Sequence, residues 1–166
     1  MKNIYLIGFM GTGKTAVGKA LAKRLNLKFL DLDSLIEEKE GLKITEIFSQ
    51  KGEPYFRKVE KGVVKEISQK SGLVVGCGGG VVLDNENLDN LKKTGIIVCL
   101  KASPRVILSR TKDTRYRPLL DVLDPKAKIA ELLNLREPFY AKADYQIDTS
   151  SLTIDEVVAN ILRLIQ

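Results

Sequence analysis

The chain has 166 residues, of which 44% are hydrophobic, and its formal net charge is +6. It contains two cysteines and no histidine. This length suffices for one globular domain with one good core and leaves little room for a second. Without histidine, no imidazole can act as base, metal ligand or pH switch, so any proton transfer falls to a carboxylate. The basic residues alternate with acidic ones and are not interleaved with stacking aromatics, which favours small anionic ligands over nucleic acid.

The sequence shows neither a signal-peptide pattern nor an apolar stretch long enough to cross a bilayer. We therefore expect a cytoplasmic protein without a membrane partner. Cys77 and Cys99 lack the spacing and the histidine neighbours of a zinc site. We expect both thiols to be buried and reduced, with no disulfide.

Short apolar runs alternate with helical patterns along the chain, which predicts a three-layer α/β/α fold around a five-stranded parallel sheet. The predicted strands are residues 4–8, 28–31, 72–76, 96–101 and 145–148. One helix is predicted to begin at the loop after the first strand. Further helix starts are indicated by capping boxes at Ser34 and Thr153 and by cap residues before Pro104 and Pro125.

A phosphate-binding loop follows the first predicted strand. Residues 8–15 read Gly-Phe-Met-Gly-Thr-Gly-Lys-Thr and fit the pattern G-x-x-x-x-G-K-[ST]. Its glycines turn backbone N–H groups inward, its lysine adds a mobile positive charge, and its threonine offers a hydroxyl ligand for Mg²⁺. The helix that follows adds its dipole. The predicted phosphate-binding residues are Gly11, Thr12, Gly13, Lys14, Thr15 and Ala16. The alternative is a glycine turn that binds nothing.

Two acidic residues, Asp31 and Asp33, end the second predicted strand, at the edge where open parallel sheets bind their ligands. Their carboxylates indicate a site that binds a metal ion and a substrate hydroxyl beside a triphosphate. The aspartate that usually ends the third strand in phosphate-loop proteins is missing, and Asp31 is the natural substitute. The glycines at 78–80 allow backbone to approach a ligand closely. The alternatives are that Asp33 only opens a helix and that the glycines only form a turn.

The connection between the helix ending near Arg110 and the helix starting at Pro125 is long and rich in charge. Such a segment can fold over a nucleotide, exclude water and bring an arginine to the transferred phosphate. The alternative is a surface loop whose arginines contact only solvent.

Arg57 and Arg136 lie on predicted helices, and their forked guanidinium groups suit bidentate recognition of a carboxylate. The alternative is that each is an arginine in a surface salt bridge, which is the commoner case.

Taken together, these residues resemble the shikimate kinase family over nearly the whole chain. The matching segments are GFMGTGKT at 8–15, DLD at 31–33, GEPYFRKVE at 52–60, GGG at 78–80, RYRPLL at 115–120 and LREPFY at 135–140. The resemblance implies an ATP-dependent phosphotransferase acting on the 3-hydroxyl of shikimate, in aromatic amino-acid biosynthesis. It also implies a fold similar to that of nucleoside monophosphate kinases.

The resemblance assigns roles to particular residues. It implies catalytic roles for Lys14, Asp33 and Arg117, with Mg²⁺ held by Thr15 directly and by Asp31 through water. The substrate would contact Asp33, Arg57, Gly78, Gly79, Gly80 and Arg136, in a pocket shaped by Phe48, Phe56 and Glu60. Arg110 would lie against the adenine. The family's adenine-side loop often carries a proline, whereas residues 148–153 here do not, so no side chain in that stretch receives a role.

We therefore expect one kinase domain over residues 1–166, with a substrate-binding segment at about 33–60, a lid at about 111–123 and a monomeric state. Two alternatives remain open. Another small-molecule kinase, for gluconate or a nucleotide, would share the phosphate loop but has no evident use for the Arg57 and Arg136 pair. A non-catalytic nucleotide-binding module is the other, although no N-K-x-D guanine motif occurs.

Overall fold

A computed structural model of the chain describes residues 2–112 and 120–166. Its described strands are β1 (Asn3–Ile7), β2 (Lys28–Asp31), β3 (Leu73–Gly76), β4 (Gly95–Lys101) and β5 (Tyr145–Asp148). They form one parallel sheet in the order β2-β3-β1-β4-β5. The five predicted strands are confirmed, each to within one residue at either end.

Helices cover both faces of this sheet. They are α1 (Lys14–Leu25), α2 (Leu32–Glu40), α3 (Ile44–Lys51), α4 (Glu53–Ser68), α5 (Asn85–Thr94), α6 (Pro104–Thr111), α7 (Pro125–Tyr140) and α8 (Ile154–Ile165), with a short 3₁₀ helix at Val81–Leu83. Helices α1 and α8 pack on one face, and the other helices contribute to the core on the opposite face. The predicted three-layer α/β/α fold is confirmed.

The central strand β1 shows why the sequence favours a parallel sheet. All five of its residues are buried, because helices cover the sheet on both sides. Ile4 and Leu6 pack toward α1 and α8, while Tyr5 and Ile7 belong to the core on the other face. Cys77 and Cys99 are buried free thiols, as predicted. Burial raises the pKa of Cys99 to about 12, which keeps that thiol protonated at neutral pH.

Four of the predicted helix starts can be checked at their caps. Ser103 accepts a hydrogen bond from the Val106 N–H, Asp124 accepts one from Ala127, and Thr153 accepts one from Glu156, so these three starts are confirmed. The start predicted at Ser34 is wrong. The N-cap of helix α2 lies three residues earlier, because Asp31 Oδ1 accepts a hydrogen bond from the Ser34 N–H at 3.1 Å and caps the helix.

The loops that matter for binding lie at the carboxyl edge of the sheet. The phosphate loop follows β1, the Asp31–Asp33 pair ends β2, and the glycines at 78–80 follow β3. Strand β1 lies between β3 and β4, so the connections diverge on either side of it, and this is where open α/β sheets bind ligands. Among the described residues, no helix is long and apolar enough to span a membrane.

Candidate active site

A cleft of about 1190 Å³ opens at the carboxyl edge of the sheet. The phosphate loop and the start of α1 form one wall, and α2, α3 and α4 form another. The turn at residues 76–79 forms the floor between them. A nucleotide and a small acceptor could therefore bind side by side, with their reacting groups above the floor.

The phosphate loop is shaped for an anion. Gly11 and Gly13 have φ values of 76° and 97°, which favour glycine, and α1 begins directly after them. The first turn of α1, which the structure describes in full, contains no acidic residue, and Gly13 provides no side-chain cap. Its N–H groups and the positive end of the helix dipole are therefore available to phosphate oxygens.

Lys14 folds back over this loop. Its Nζ donates hydrogen bonds to the carbonyl oxygens of Gly8 and Phe9, each at 2.8 Å. The ammonium group is thus held at the mouth of the loop rather than in bulk solvent. A triphosphate could recruit it by a short rotation of the side chain, because phosphate oxygens offer a stronger, charge-assisted partner than carbonyls.

Thr15 and Asp31 form a pair of oxygen donors beside the loop. Thr15 Oγ1 donates to Asp31 Oδ2 at 3.2 Å, while the other carboxylate oxygen caps α2. Hydroxyl and carboxylate oxygens suit Mg²⁺, which usually keeps several waters and takes one or two protein ligands together with substrate phosphates. Within the described residues there is no group of three or more histidine, cysteine or acidic side chains that could hold a metal ion by itself. The pair fits an ion shared with a nucleotide.

Two carboxylates approach the turn at Gly78. A Cβ built on this glycine would lie 3.0 Å from Asp33 Oδ1 and 3.2 Å from Glu60 Oε2. A side chain at position 78 would therefore crowd the carboxylates, and glycine leaves the space between them open. Asp33 also lines the cleft, where an acceptor hydroxyl could reach it.

Glu60 is a buried acid, with 1% of its surface exposed. Its Oε1 accepts a hydrogen bond from Arg57 Nη1 at 2.9 Å, and its Oε2 has no hydrogen-bond partner among the described residues. Burial raises the pKa of Glu60 above its ordinary value and the nearby Asp33 charge adds to the rise, although Arg57 and Arg136 oppose it. The site thus holds this carboxylate at a desolvation cost that its arginine partner offsets only in part.

Arg57 and Arg136 reach the same turn from α4 and α7. Arg136 Nη1 would lie 3.2 Å from a Cβ on Gly79, and a Cβ on Gly80 would overlap the Arg57 guanidinium. Arg57 is also paired with Glu53, at 3.2 Å. Arg136 is only 5% exposed. Two forked cations therefore lie against consecutive glycines, an arrangement suited to a carboxylate.

Aromatic rings complete this part of the cleft. Phe48 and Phe56 pack with their centroids 4.8 Å apart, and the Arg57 guanidinium lies over the Phe56 ring at 5.1 Å. Arg136 lies over Phe9 at 5.4 Å. The rings exclude water from the guanidinium faces, which strengthens the attraction of each cation for an anionic ligand.

On the nucleotide side, Arg110 bridges the phosphate loop and the loop after β5. Its Nη1 donates to the Gly11 carbonyl at 3.3 Å and to Thr149 Oγ1 at 3.0 Å, while Nη2 donates to the Thr149 carbonyl at 2.9 Å. Its guanidinium lines the cleft. This position agrees with an adenine-side role, which remains a prediction.

Most of the predicted site residues line this one cleft. They are Gly11, Gly13, Lys14, Thr15, Ala16, Asp31, Asp33, Phe48, Phe56, Arg57, Glu60, Gly78, Gly79, Arg110 and Arg136. Thr12 is 1% exposed and does not line the cleft. Gly80 also does not line it and lies against the Arg57 guanidinium. Arg117, and with it residues 113–119 of the predicted lid, lies outside the described residues.

Two buried side chains of the site received no role from the sequence. Tyr140 donates a hydrogen bond to the Gly79 carbonyl at 2.8 Å and fixes the floor of the cleft, and burial raises its pKa to about 12. Thr149 links the loop after β5 to the phosphate loop. The signal for Tyr140 was its place in the LREPFY segment, and that for Thr149 was its position directly after a strand at the carboxyl edge.

Comparison with known proteins identifies the family. A family model described as shikimate kinase matches residues 10–166. A shikimate kinase from Thermodesulfovibrio yellowstonii is 53% identical over 98% of this chain and 94% of its own length. One from Caldanaerobacter subterraneus subsp. tengcongensis is 52% identical over 98% of this chain and 95% of its own.

Solved structures agree. The structure of a shikimate kinase from Acinetobacter baumannii in complex with shikimate matches with a TM-score of 0.95 and 41% identity, over 99% of this chain and 93% of that one. That of a shikimate kinase from Aquifex aeolicus matches with a TM-score of 0.83 and 38% identity, over 98% and 95% of the two chains. The resemblance read from the sequence is thereby confirmed: the chain belongs to the shikimate kinase family.

Proposed function

We propose that this protein transfers the γ-phosphoryl group of ATP to the 3-hydroxyl of shikimate, giving shikimate 3-phosphate and ADP in aromatic amino-acid biosynthesis. One observation carries the proposal beyond membership of the family. A phosphate loop, an acidic side chain and two arginines suited to a carboxylate line the same cleft. Shikimate has both a carboxylate and ring hydroxyls, so one molecule can engage both kinds of group.

The substrate would be held at both ends. Arg57 and Arg136 would bind its carboxylate, supported by their positions against Gly80 and Gly79. Asp33 would accept hydrogen bonds from ring hydroxyls and orient the attacking one. Phe48 and Phe56 would pack against the ring, since their tilted pair forms an apolar wall of the cleft. Glu60 would keep the Arg57 guanidinium in place through their hydrogen bond.

The nucleotide phosphates would lie on residues 11–16, with Lys14 leaving the Gly8 and Phe9 carbonyls to bind them. Thr15 would hold Mg²⁺ directly and Asp31 would hold it through water, consistent with the 3.2 Å separation of their oxygens. Bound Mg²⁺ supplies charge neutralisation at the phosphates. Arg110 would pack against the adenine.

Catalysis would then rest on positioning and charge neutralisation. Phosphoryl transfer through a loose, in-line transition state requires little covalent chemistry from the protein. Lys14 would stabilise the developing phosphoryl charge, and Asp33 would align the hydroxyl and accept its proton late. Arg117 would be the lid arginine at the transferred group, within a lid at about 111–123. This assignment comes from the sequence alone.

The rest of the proposal concerns the context of the enzyme. We expect it to act as a monomer in the cytoplasm, as one domain spanning residues 1–166 whose substrate-binding segment is about 33–60. Sedimentation or light scattering with and without ligands tests the monomeric state, because a stable dimer would double the mass.

The residues that line this cleft also bear on two other candidate functions. A gluconate or nucleotide kinase would use the phosphate loop equally well. Gluconate also has a carboxylate, so Arg57 and Arg136 alone do not exclude a gluconate kinase, but its open chain presents no ring to pack against Phe48 and Phe56. A non-catalytic nucleotide-binding module would need neither the arginines nor Asp33.

A coupled assay of ADP release separates these functions. Wild-type protein is supplied with MgATP and, in separate reactions, with shikimate, gluconate, a nucleoside monophosphate or no acceptor. The proposal predicts ADP release with shikimate at a rate far above the other reactions. Turnover with gluconate or the monophosphate instead would favour the other kinases, while ATP binding without acceptor-dependent ADP release would favour the binding module.

A further inference from the structure

The loop after β5 carries a buried hydroxyl that contacts the phosphate loop from behind. Thr149 is 2% exposed and lies 137 residues from Thr12 in sequence. Its Oγ1 lies 3.1 Å from the Thr12 carbonyl oxygen and 3.0 Å from the Lys101 carbonyl oxygen. The same atom lies 3.0 Å from Arg110 Nη1. One side chain thus joins the end of β4, α6 and the phosphate loop.

The hydroxyl has only one proton to donate. Arg110 is itself a donor and occupies an acceptor position on Thr149 Oγ1. The Lys101 carbonyl already receives the backbone N–H of Thr149 at 2.8 Å. We therefore assign the hydroxyl proton to the Thr12 carbonyl, whose residue is 1% exposed and cut off from solvent. A buried carbonyl that loses such a donor is left without a hydrogen-bond partner, which costs the free energy of its desolvation.

Fixing this carbonyl also fixes the next amide. In a trans peptide the C=O of one residue and the N–H of the next point in opposite directions. With the Thr12 carbonyl directed at Thr149, the Gly13 N–H is directed away from Thr149, and Gly13 itself lines the cleft. That N–H belongs to the loop that is shaped for phosphate. Thr149 therefore sets the direction of a phosphate-binding dipole without touching the nucleotide.

The same residue restrains Arg110. The guanidinium donates to both Oγ1 and the carbonyl oxygen of Thr149, and also to the Gly11 carbonyl. Two of its three hydrogen bonds end on one residue. The adenine side and the phosphate side of the cleft are thus joined through a single threonine.

We propose that Thr149 is a positioning residue of the nucleotide site, which holds the Thr12–Gly13 peptide and the Arg110 guanidinium in the orientation that binds ATP and ADP. The inference rests on the nucleotide-binding part of the proposed function. Without the hydroxyl, the loop would spend part of its time in other orientations. The measured affinity for nucleotide would fall in proportion to the fraction of molecules in the competent state.

The test compares two substitutions that differ in the hydroxyl. Thr149→Val keeps the shape of threonine and removes the oxygen, whereas Thr149→Ser keeps the oxygen. Calorimetric titration with ADP in the presence of Mg²⁺ should show Kd raised about tenfold in T149V and by less than about threefold in T149S, since one buried hydrogen bond is at stake. The affinity of nucleotide-free protein for shikimate should be unchanged in both variants.

A matched control accounts for lost stability. Thr94 Oγ1 pairs with the Tyr5 hydroxyl at 2.8 Å at the opposite end of the sheet, so Thr94→Val also removes a structural hydroxyl. T94V should lower the melting temperature without changing the Kd of ADP. If T149V does not fold, Thr149→Ala replaces it in the comparison.

Three results would overturn the inference: wild-type ADP affinity in T149V, equal losses in T149V and T149S, or an equal loss in T94V. None of them depends on shikimate turnover, so failure of this inference is distinguishable from failure of the proposed reaction.

Discussion

Replacing Arg136 by alanine should cost more shikimate affinity than replacing Arg57. Within the part of the chain that the structure describes, Arg136 forms no ion pair, whereas Arg57 is paired with Glu53 and Glu60. Arg136 is also 5% exposed, so its charge is little screened by water. A bound carboxylate would therefore gain more from Arg136 than from an arginine whose charge two glutamates already balance.

The magnitude follows from the burial. Removing one partner of a desolvated, hydrogen-bonded charge pair costs roughly 2 to 5 kcal/mol. We place Arg136→Ala in the middle of this range, at about 3 to 4 kcal/mol, or roughly 150- to 700-fold in Kd. Arg57→Ala should cost less, about 2 to 3 kcal/mol, because Glu53 and Glu60 already balance part of the charge of Arg57. Arg136→Lys should fall between wild type and R136A, since lysine keeps the charge and loses the fork.

Isothermal titration with shikimate, and separately with ADP, measures both effects. ADP affinity should change little in all three variants. Arg163→Ala, which removes an exposed arginine on α8, serves as the control for loss of one positive charge. Circular dichroism checks that each variant is folded. Unchanged shikimate affinity in folded R136A and R57A would mean that the substrate carboxylate binds elsewhere and would refute the proposed pocket.

Three further predictions concern other parts of the site. Lys14→Ala should abolish turnover and leave the melting temperature nearly unchanged, because Lys14 serves phosphate rather than the core; near-normal turnover in the folded variant would remove it from the mechanism. Arg117→Ala should lower kcat on the order of 10³-fold with a much smaller effect on shikimate binding, as measured by steady-state kinetics, and a normal kcat would exclude the lid arginine. Burial raises the folded-state pKa of Glu60 above its ordinary 4.5, so the folded protein binds more protons than the unfolded chain between that value and the raised pKa. Its contribution should therefore lower the free energy of unfolding as pH rises through this interval. Urea titrations should show a less positive pH slope of this free energy in wild type than in Glu60→Gln, and equal slopes would contradict the raised pKa.

The strands and the phosphate loop could be predicted because their signals are local. A buried strand such as Asn3–Ile7 can be recognised in the sequence without knowing which strands pair with it, since both faces of a covered parallel sheet are apolar. The glycine and lysine spacing at 8–15 is equally local. The order of strands, by contrast, depends on which pairs meet in space, and it came from the structure rather than from the strand sequences.

The start of α2 shows where local signals compete. Asp31 and Ser34 are both good N-cap residues three positions apart, and the Ser34 segment also fits a capping box. The structure uses Asp31, which reaches the Ser34 N–H with one oxygen and Thr15 with the other. The second contact joins α2 to the phosphate loop, and no rule based on neighbouring residues could weigh it.

Tyr140 and Thr149 mark the limit of sequence analysis for the site. Tyr140 contacts a carbonyl 61 residues away, and Thr149 contacts one 137 residues away. Both hydroxyls donate to backbone carbonyls, and the identity of a residue does not show where its carbonyl points. Arg57 and Glu60 form an i,i+3 pair within α4, which is a local contact, but the burial of Glu60 depends on how α4 packs in the fold.

The identity of the product tests the central claim most directly. Wild-type protein is incubated with MgATP and shikimate, and the products are analysed by phosphorus and proton magnetic resonance together with a measurement of ADP. The account predicts one phosphorylated product per ADP, with the phosphate on the 3-oxygen of shikimate and the carboxylate unmodified. Phosphate on another oxygen, or ADP formed together with free phosphate alone, would contradict it.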